Sequence, residues 1–138
     1  MVMTKPVLAI TMGDPGGIGP EIIAKALAHP EVYDRSRPLV IGELRAMQAA
    51  VRIIGGPLEV RSVDGPADAG NHPGCIDLID LHNIDIEQLG RSKVSAEVGR
   101  AAYEYLERAT ALAHTGDGLR GWRPQAVVQV RSLASILL

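Results

Sequence analysis

Four glycines in seven positions, Gly13, Gly16, Gly17 and Gly19, stand between a short apolar run and a segment opened by Pro20 and Glu21. Glycine permits backbone turns closed to other residues and lets a ligand approach the main chain. The helix start beyond it offers N–H groups without intrahelical partners. A loop of this kind at the carboxyl end of a buried strand is where open α/β sheets bind ligands. Two phosphate fingerprints fail on detail. No Gly-Lys-Ser/Thr is present, and Gly17-Ile-Gly-Pro-Glu-Ile22 lacks the third glycine of the dinucleotide pattern. Asp14 would repel a phosphate unless paired or bridged by a cation; it can instead grip a hydroxyl or fix the loop through its own backbone bonds. Asp14, Gly16 and Gly17 are therefore the candidate cofactor-facing residues, with a purely structural turn as the competing reading. Glu21 reads as a helix-start charge. Glu43, at the end of the second strand, can imitate a ribose-binding acid but reads better as a solvated helix-start carboxylate.

The other polar residues carry less chemistry. His72-Pro-Gly-Cys75, followed by Asp77, Asp80 and His82, has some metal-like spacing, but structural zinc patterns need paired Cys or His clusters and Cys75 stands alone. On a strand, Cys75 and Asp77 face one side and Asp80 the other, so a shared site would need His72 and His82 to fold back from both ends. They read as loop histidines. His29 and His114 lie at helix C-terminal ends, where imidazole suits the dipole. Ser92, Ser95 and Cys75 lack any nucleophile context. No catalytic and no metal-ligating residue is assigned.

The elements that position the glycine loop follow from periodicity. Pro6 to Met12 reads as a strand buried on both faces, as in parallel sheets. The next helix packs through Ile22, Ile23, Ala26 and Leu27, and His29-Pro30 stops it. Pro38–Ile41 is a second strand. Leu44, Met47, Val51 and Ile54 repeat at helical spacing before Gly55-Gly56-Pro57. Leu58 to Val63 alternates as a half-wet strand, Gly65 to Gly74 is a loop, and Cys75 to Leu81 is another strand. From about Ser95 to His114 a helix buries Val98, Ala101, Ala102, Tyr105, Ala109, Leu112 and Ala113, with Ser95 as cap and Glu104–Arg108 as an i,i+4 pair. This alternation points to an α/β layered fold. After Thr115 the pattern loses coherence, although Ala126 to Val130 can still pair as a strand.

At 138 residues and 46% hydrophobic, the chain fits one modest domain. No run of 18 apolar residues is present, so no membrane span is expected. The opening does not read as a signal peptide. The lone cysteine leans toward a reducing, cytoplasmic setting. A net charge of −2 without aromatic–basic interleaving argues against nucleic acid. The aromatics are three tyrosines and Trp122, so the core must be aliphatic and alanine-rich. All 16 acidic residues precede residue 118, whereas 118–138 carries Arg120, Arg123, Arg131 and Trp122 with no acid. The chain therefore divides into 1–117 and a divergent tail, 118–138, which reads as out-of-frame or truncated sequence.

Ile10-Thr-Met-Gly-Asp-Pro-Gly-Gly-Ile-Gly-Pro-Glu-Ile22 resembles the opening of the 4-hydroxythreonine-4-phosphate dehydrogenase family, and Gly90 to Tyr105 resembles its middle helix at the expected distance. The resemblance covers roughly residues 5–117. It implies an isocitrate/isopropylmalate dehydrogenase-like α/β fold, here incomplete and lacking most of the second half. Members are homodimeric oxidoreductases using NAD or NADP and a divalent metal (Zn, Mg or Co) on a phosphorylated small hydroxy acid. The implied reaction is oxidation and decarboxylation of 4-phosphooxy-L-threonine to 3-amino-2-oxopropyl phosphate in pyridoxine phosphate biosynthesis. A related branch acts on D-threonate or D-erythronate 4-phosphate, and the Met12-Gly-Asp start and Lys93-Val-Ser-Ala entry look more like that branch. The family's lysine and Pro-Gly-His-Thr segments do not follow Asp117, and none of His29, His72, His82 or His114 matches a family metal ligand. Only the Gly13–Glu21 loop carries over. This chain alone is thus expected to be inactive, and a noncatalytic α/β fragment needing a partner is the reading from a different class.

Overall fold

The computed structural model describes residues 5, 7–89, 95–115 and 124–129. The family-like residues Gly90 to Val94, together with Ser92, Trp122 and the three tail arginines, lie outside them. Five strands form one parallel sheet: β1 (Val7–Thr11), β2 (Arg37–Gly42), β3 (Glu59–Ser62), β4 (Cys75–Asp80) and β5 (Pro124–Gln129), in the order β3-β4-β2-β1-β5. The helices are α1 (Gly19–Leu27), α2 (Pro30–Arg35), α3 (Leu44–Ile54), α4 (Ile86–Leu89) and α5 (Ala96–Thr115). The expected α/β layering is present, and the run inside the tail does enter the sheet, beside β1.

The sheet order fixes where each helix goes. The chain moves from β1 through α1 to β2, then through α3 to β3, in one direction across the sheet. It returns from β4 through α5 to β5 in the other direction. Parallel crossovers are right-handed, so α1 and α3 share one face and α5 takes the opposite one. The packing agrees: α1 lies against α3, and α5 lies against β1, β2 and β5.

Burial on both faces makes the middle strands continuously apolar. Ala9, Leu39, Val40, Ile41, Ile76 and Leu78 are all fully covered. Alanines let α3 and α5 approach closely: Ala46 and Ala50 face the core from one side, Ala101 and Ala109 from the other. Ser95 caps α5 as expected, accepting from the Val98 N–H at 3.3 Å.

Three local expectations change. In α1 the buried residues are Gly19, Pro20, Ile23, Ala24 and Leu27, while Ile22 is 40% exposed and Ala26 is exposed too. The packed face is turned by about one position because α1 rests on α3. Pro30 ends α1 and also begins α2, where its missing N–H costs nothing, so His29 is an extended N-cap and not a helix C-terminus. Asp77 serves the fold: buried on β4, it accepts from Arg61 Nε and Nη2 at 3.0 and 2.8 Å and from the Asn71 N–H at 3.0 Å. That set of bonds clamps the 64–74 loop to the sheet edge.

Candidate functional site

Two structures share the carboxyl edge of the sheet. The first is the glycine loop after β1. Gly13 has φ +72°, a left-handed backbone that requires glycine here. The Asp14 carboxylate then turns back on its own loop: Oδ1 accepts from the Gly16 N–H at 2.7 Å, and the Asp14 carbonyl accepts from the Gly17 N–H at 3.1 Å. Of the roles open to Asp14, the structure shows the loop-fixing one. Gly16 and Gly17 have no positive φ, and a Cβ at either would meet Asp14 only at ordinary contact distance. Neither conformation nor crowding therefore demands these two glycines. The start of α1 receives no side-chain cap, and Ile18 and Ile22 stand 42% and 40% exposed beside it.

The second structure is a crevice between β2 and β4. The β2 end leads to the α3 face and the β4 end to the α5 face, so the chain diverges here. Such a switch point is where doubly wound sheets open a ligand crevice. A cavity of about 400 Å³ lies at this point, lined by Glu43, Arg45, His82, Asn83, Ile84 and Asp85. The sequence reading did not find it, because its residues come from separate segments that only the strand order brings together.

Its carboxylates are occupied by the fold. Glu43 is 4% exposed, not solvated, and Oε2 accepts from the Ala46 N–H at 2.8 Å as the N-cap of α3. Burial, then the Asp80 charge, raises its pKa above the ordinary 4.5 against the opposing pull of the Ala46 N–H. Asp80 Oδ1 accepts from the Leu44 N–H at 3.3 Å and from the His82 N–H at 3.1 Å, while Oδ2 lies 3.2 Å from His82 Nδ1. His82 is held at φ +48° by these contacts, its ring mostly exposed at the crevice. Asn83 Nδ2 donates to Glu104 Oε2 at 2.6 Å, and Arg100 Nε approaches Glu104 Oε1 at 3.8 Å. Behind this framework the Tyr105 hydroxyl is fully buried without a hydrogen-bond partner. Burial raises its pKa first, and the carboxylates of Glu43, Asp80, Glu104 and Asp14 raise it further.

The remaining sequence candidates do not assemble. His72 and His82 sit at opposite ends of β4, and His72 is exposed. The His114 side chain lies outside the described residues. Cys75 is free, with its thiol pKa raised by burial and then by Asp77, opposite to what an activated nucleophile needs. Among the described residues no group of three or more His, Cys, Asp or Glu is arranged to hold a metal ion. The divalent metal expected from the resemblance has no fitting donor set among them.

The parallel sheet, with helices on both faces and a switch point at β2 and β4, defines a doubly wound α/β protein. Comparison with known proteins narrows this. No family model matches the chain. It is 50% identical over 107 residues to a D-threonate 4-phosphate dehydrogenase of Cupriavidus necator, covering 78% of this chain and 32% of that protein. Among solved structures it is similar to a 4-hydroxythreonine-4-phosphate dehydrogenase from Burkholderia phymatum, with a TM-score of 0.83 and 38% identity over 92% of this chain and 36% of that one. The Klebsiella pneumoniae 4-hydroxythreonine-4-phosphate dehydrogenase gives a TM-score of 0.79 and 33% identity, covering 97% of this chain and 39% of that one. The chain thus spans about a third of the length of the curated relatives it matches. It is homologous to a part of the 4-hydroxythreonine-4-phosphate dehydrogenase family, its D-threonate 4-phosphate branch included, and carries that part of the family's α/β fold.

Proposed function

We propose that this chain is the glycine-loop part of an NAD- or NADP-dependent dehydrogenase acting on D-threonate 4-phosphate or a close four-carbon relative. The observation that carries this reading is the 50% identity to a protein of that name. The alternative substrate, 4-phosphooxy-L-threonine in pyridoxine phosphate biosynthesis, rests on the names of the structural relatives. A nicotinamide cofactor, when bound, accepts hydride from the substrate carbinol carbon. The chain's own contribution is positional. Asp14 holds the loop closed, Gly16 and Gly17 leave the main chain approachable, and the uncapped α1 start offers the positive end of a helix dipole to an anionic group. The metal and phosphate ligands belong to the remaining two thirds of the family's length, so the 138 residues alone are not expected to turn over. Residues 118–138 are proposed to be a divergent tail, of which Pro124–Gln129 supplies a sheet strand.

The test is a chimera in which this chain replaces the matching segment of the Cupriavidus necator enzyme, assayed with D-threonate 4-phosphate, D-erythronate 4-phosphate and 4-phosphooxy-L-threonine. Substrate-dependent NADH formation, lost on Gly16→Val with the fold intact, is the expected result. A folded chimera in which Gly16→Val leaves the Michaelis constant for NAD unchanged would remove the loop from the cofactor site. Detectable NADH formation by the isolated chain would overturn its predicted inactivity.

Exposed Ile18 and Ile22 beside the loop favour a second reading, a noncatalytic α/β unit that persists by pairing with another chain. A well-folded monomer at every concentration in sedimentation would dismiss it.

A further inference from the structure

The sheet ends differently on its two sides. β3 closes one edge with Glu59 and Arg61, charges of the kind that blunt an edge against pairing. β5 closes the other, and among the described residues it pairs only with β1. Its sequence, Pro124-Gln-Ala-Val-Val-Gln129, holds no charge. The outer side of an edge strand presents backbone N–H and C=O groups in a row, a template for another strand. The helix above this edge carries a second, independent asymmetry. α5 packs on β1, β2 and β5 through Val98, Ala101, Tyr105, Ala109 and Leu112. At helical spacing, Glu97, Glu104 and Arg108 fall on one flank of that buried line, and Gly99, Ala102 and Leu106 on the other. Glu104 accepts from Asn83, the third residue after β4, so the charged flank points to the β4 side. The uncharged flank therefore points across β1 toward β5 and the open edge. Ala102 and Leu106 are half-buried there, and Gly99 and Thr110 are exposed. The Thr110 hydroxyl donates to the Leu106 carbonyl of its own helix at 2.8 Å. Strand edge and helix flank thus form one uncharged side of the molecule.

We propose that a second copy of this chain covers this side, the two β5 strands pairing antiparallel about a two-fold axis that sets the two α5 flanks side by side on one face of the joined sheet. A two-fold contact must be self-complementary. β5 meets that demand: about Val127 it reads nearly the same in both directions, so Gln125 stands opposite the partner's Gln129 and Ala126 opposite the partner's Val128. Arg123 and Arg131, just outside the strand in sequence, carry the like-charge cost of the pairing. Six residues make a short contact, so the dimer is weak and concentration-dependent. This surface is separate from the glycine loop and from Ile18 and Ile22, which belong to the opposite face of the sheet, and it does not depend on the dehydrogenase reading.

The experiment is sedimentation velocity of the full chain over a wide range of concentrations, with amide hydrogen exchange on the same samples. A monomer–dimer equilibrium is expected, with protection of residues 124–129 rising with the dimer fraction and no such rise at residues 18–22. Added salt should tighten the dimer by screening the arginines. Gln125→Lys with Gln129→Lys opposes lysines across the two-fold and should weaken the dimer about tenfold. Mixing that variant with an equal amount of Gln125→Glu with Gln129→Glu should restore it as a mixed dimer, which unfolded variants could not do. A wild-type monomer at every concentration would overturn the proposal, as would a dimer that loosens with salt or gains its protection at 18–22. Protection of 124–129 that does not change with concentration would give the edge to residues 130–138 of the same chain and overturn it too. So would a dimer that the lysine substitutions leave unchanged.

Discussion

Two of the helices that begin on the carboxyl edge of this sheet, α1 and α3, are treated in opposite ways. The first turn of α3 receives two buried carboxylates, Glu43 on the Ala46 N–H and Asp80 on the Leu44 N–H. The first turn of α1 receives no side-chain cap; it carries one acid of its own, Glu21, and Asp14 in the loop before it spends Oδ1 on Gly16. The approaches differ too: Glu43 alone separates β2 from α3, whereas residues 12–18 separate β1 from α1. An α3 start filled by carboxylates has no place for a phosphate, whereas the α1 start is uncapped and carries only Glu21. One helix start is closed by the fold's own carboxylates and the other is not capped.

The join between the two regions is the tightest point. Gly42 ends β2 against Met12, which precedes the glycine loop, and a Cβ there would lie 2.7 Å from Met12 Cε and 2.8 Å from Met12 Cβ. Gly42 also accepts from the Leu81 N–H at 3.0 Å, tying β2 to the crevice. Gly42→Val is therefore expected to destabilise by about 3 kcal/mol, the upper range for overpacking a core. Urea unfolding checks it; a loss below about 1 kcal/mol would show that the two regions are not mechanically joined.

Asp80→Ala comes next. It strips acceptors from the Leu44 and His82 N–H groups and releases His82 from its left-handed backbone. The expected loss is about 2 kcal/mol, between a helix cap and a buried hydrogen-bonded charge. Asp14→Ala, losing one loop bond, should cost about half that. Equal losses would erase the contrast between a structural and a spare helix start.

Glu43 gives a pH test of the same contrast. Its folded pKa is raised above 4.5, so over that window the native state binds more protons than the unfolded chain. Stability from this residue is full below 4.5 and is lost as pH rises through the folded value. Glu43→Gln keeps an oxygen for the Ala46 N–H but cannot ionise. Relative to wild type, the variant should gain stability steadily as pH rises from 4.5 toward neutrality, measured by denaturant midpoints. Parallel curves would show that burial of the charge costs nothing.

What was legible in the sequence follows a physical line. β1 was readable because a strand buried on both faces must be continuously apolar, and α5 because a long helix repeats its buried face from Val98 to Leu112 with Ser95 at its start. The glycine loop announced itself by composition, and Asp14's self-bonding was among its foreseen roles. The crevice was not readable. Glu43, Asp80, Asn83 and Tyr105 belong to four elements, and they meet only because β4 inserts between β3 and β2, an order that no local pattern encodes. His82 is the loop histidine the sequence suggests, and only the strand order sets it at the crevice. α2 was missed because proline serves equally as a helix stop and a first-turn residue.

The mispredicted face of α1 yields the smallest expected effect and a sharp use of it. Ile22 was expected in the core, yet it stands exposed beside Ile18 while Ile23 is 2% exposed. In this chain Ile22→Gln should change stability by no more than about 0.5 kcal/mol, since glutamine is a good helix former and little packing is lost. Ile23→Gln, burying an unpaired amide, should cost about 3 kcal/mol and serves as the control for the helix's orientation. The same Ile22→Gln change in the Cupriavidus necator chimera has a different expectation. If the bare α1 start faces the rest of the family's chain, Ile22 is covered there, and the loss should rise to between about 1 and 2 kcal/mol of apolar burial. A substitution that is silent in both proteins would mean that the exposed isoleucine borders solvent in each, and the α1 start would then be open on its apolar side as well as its polar one.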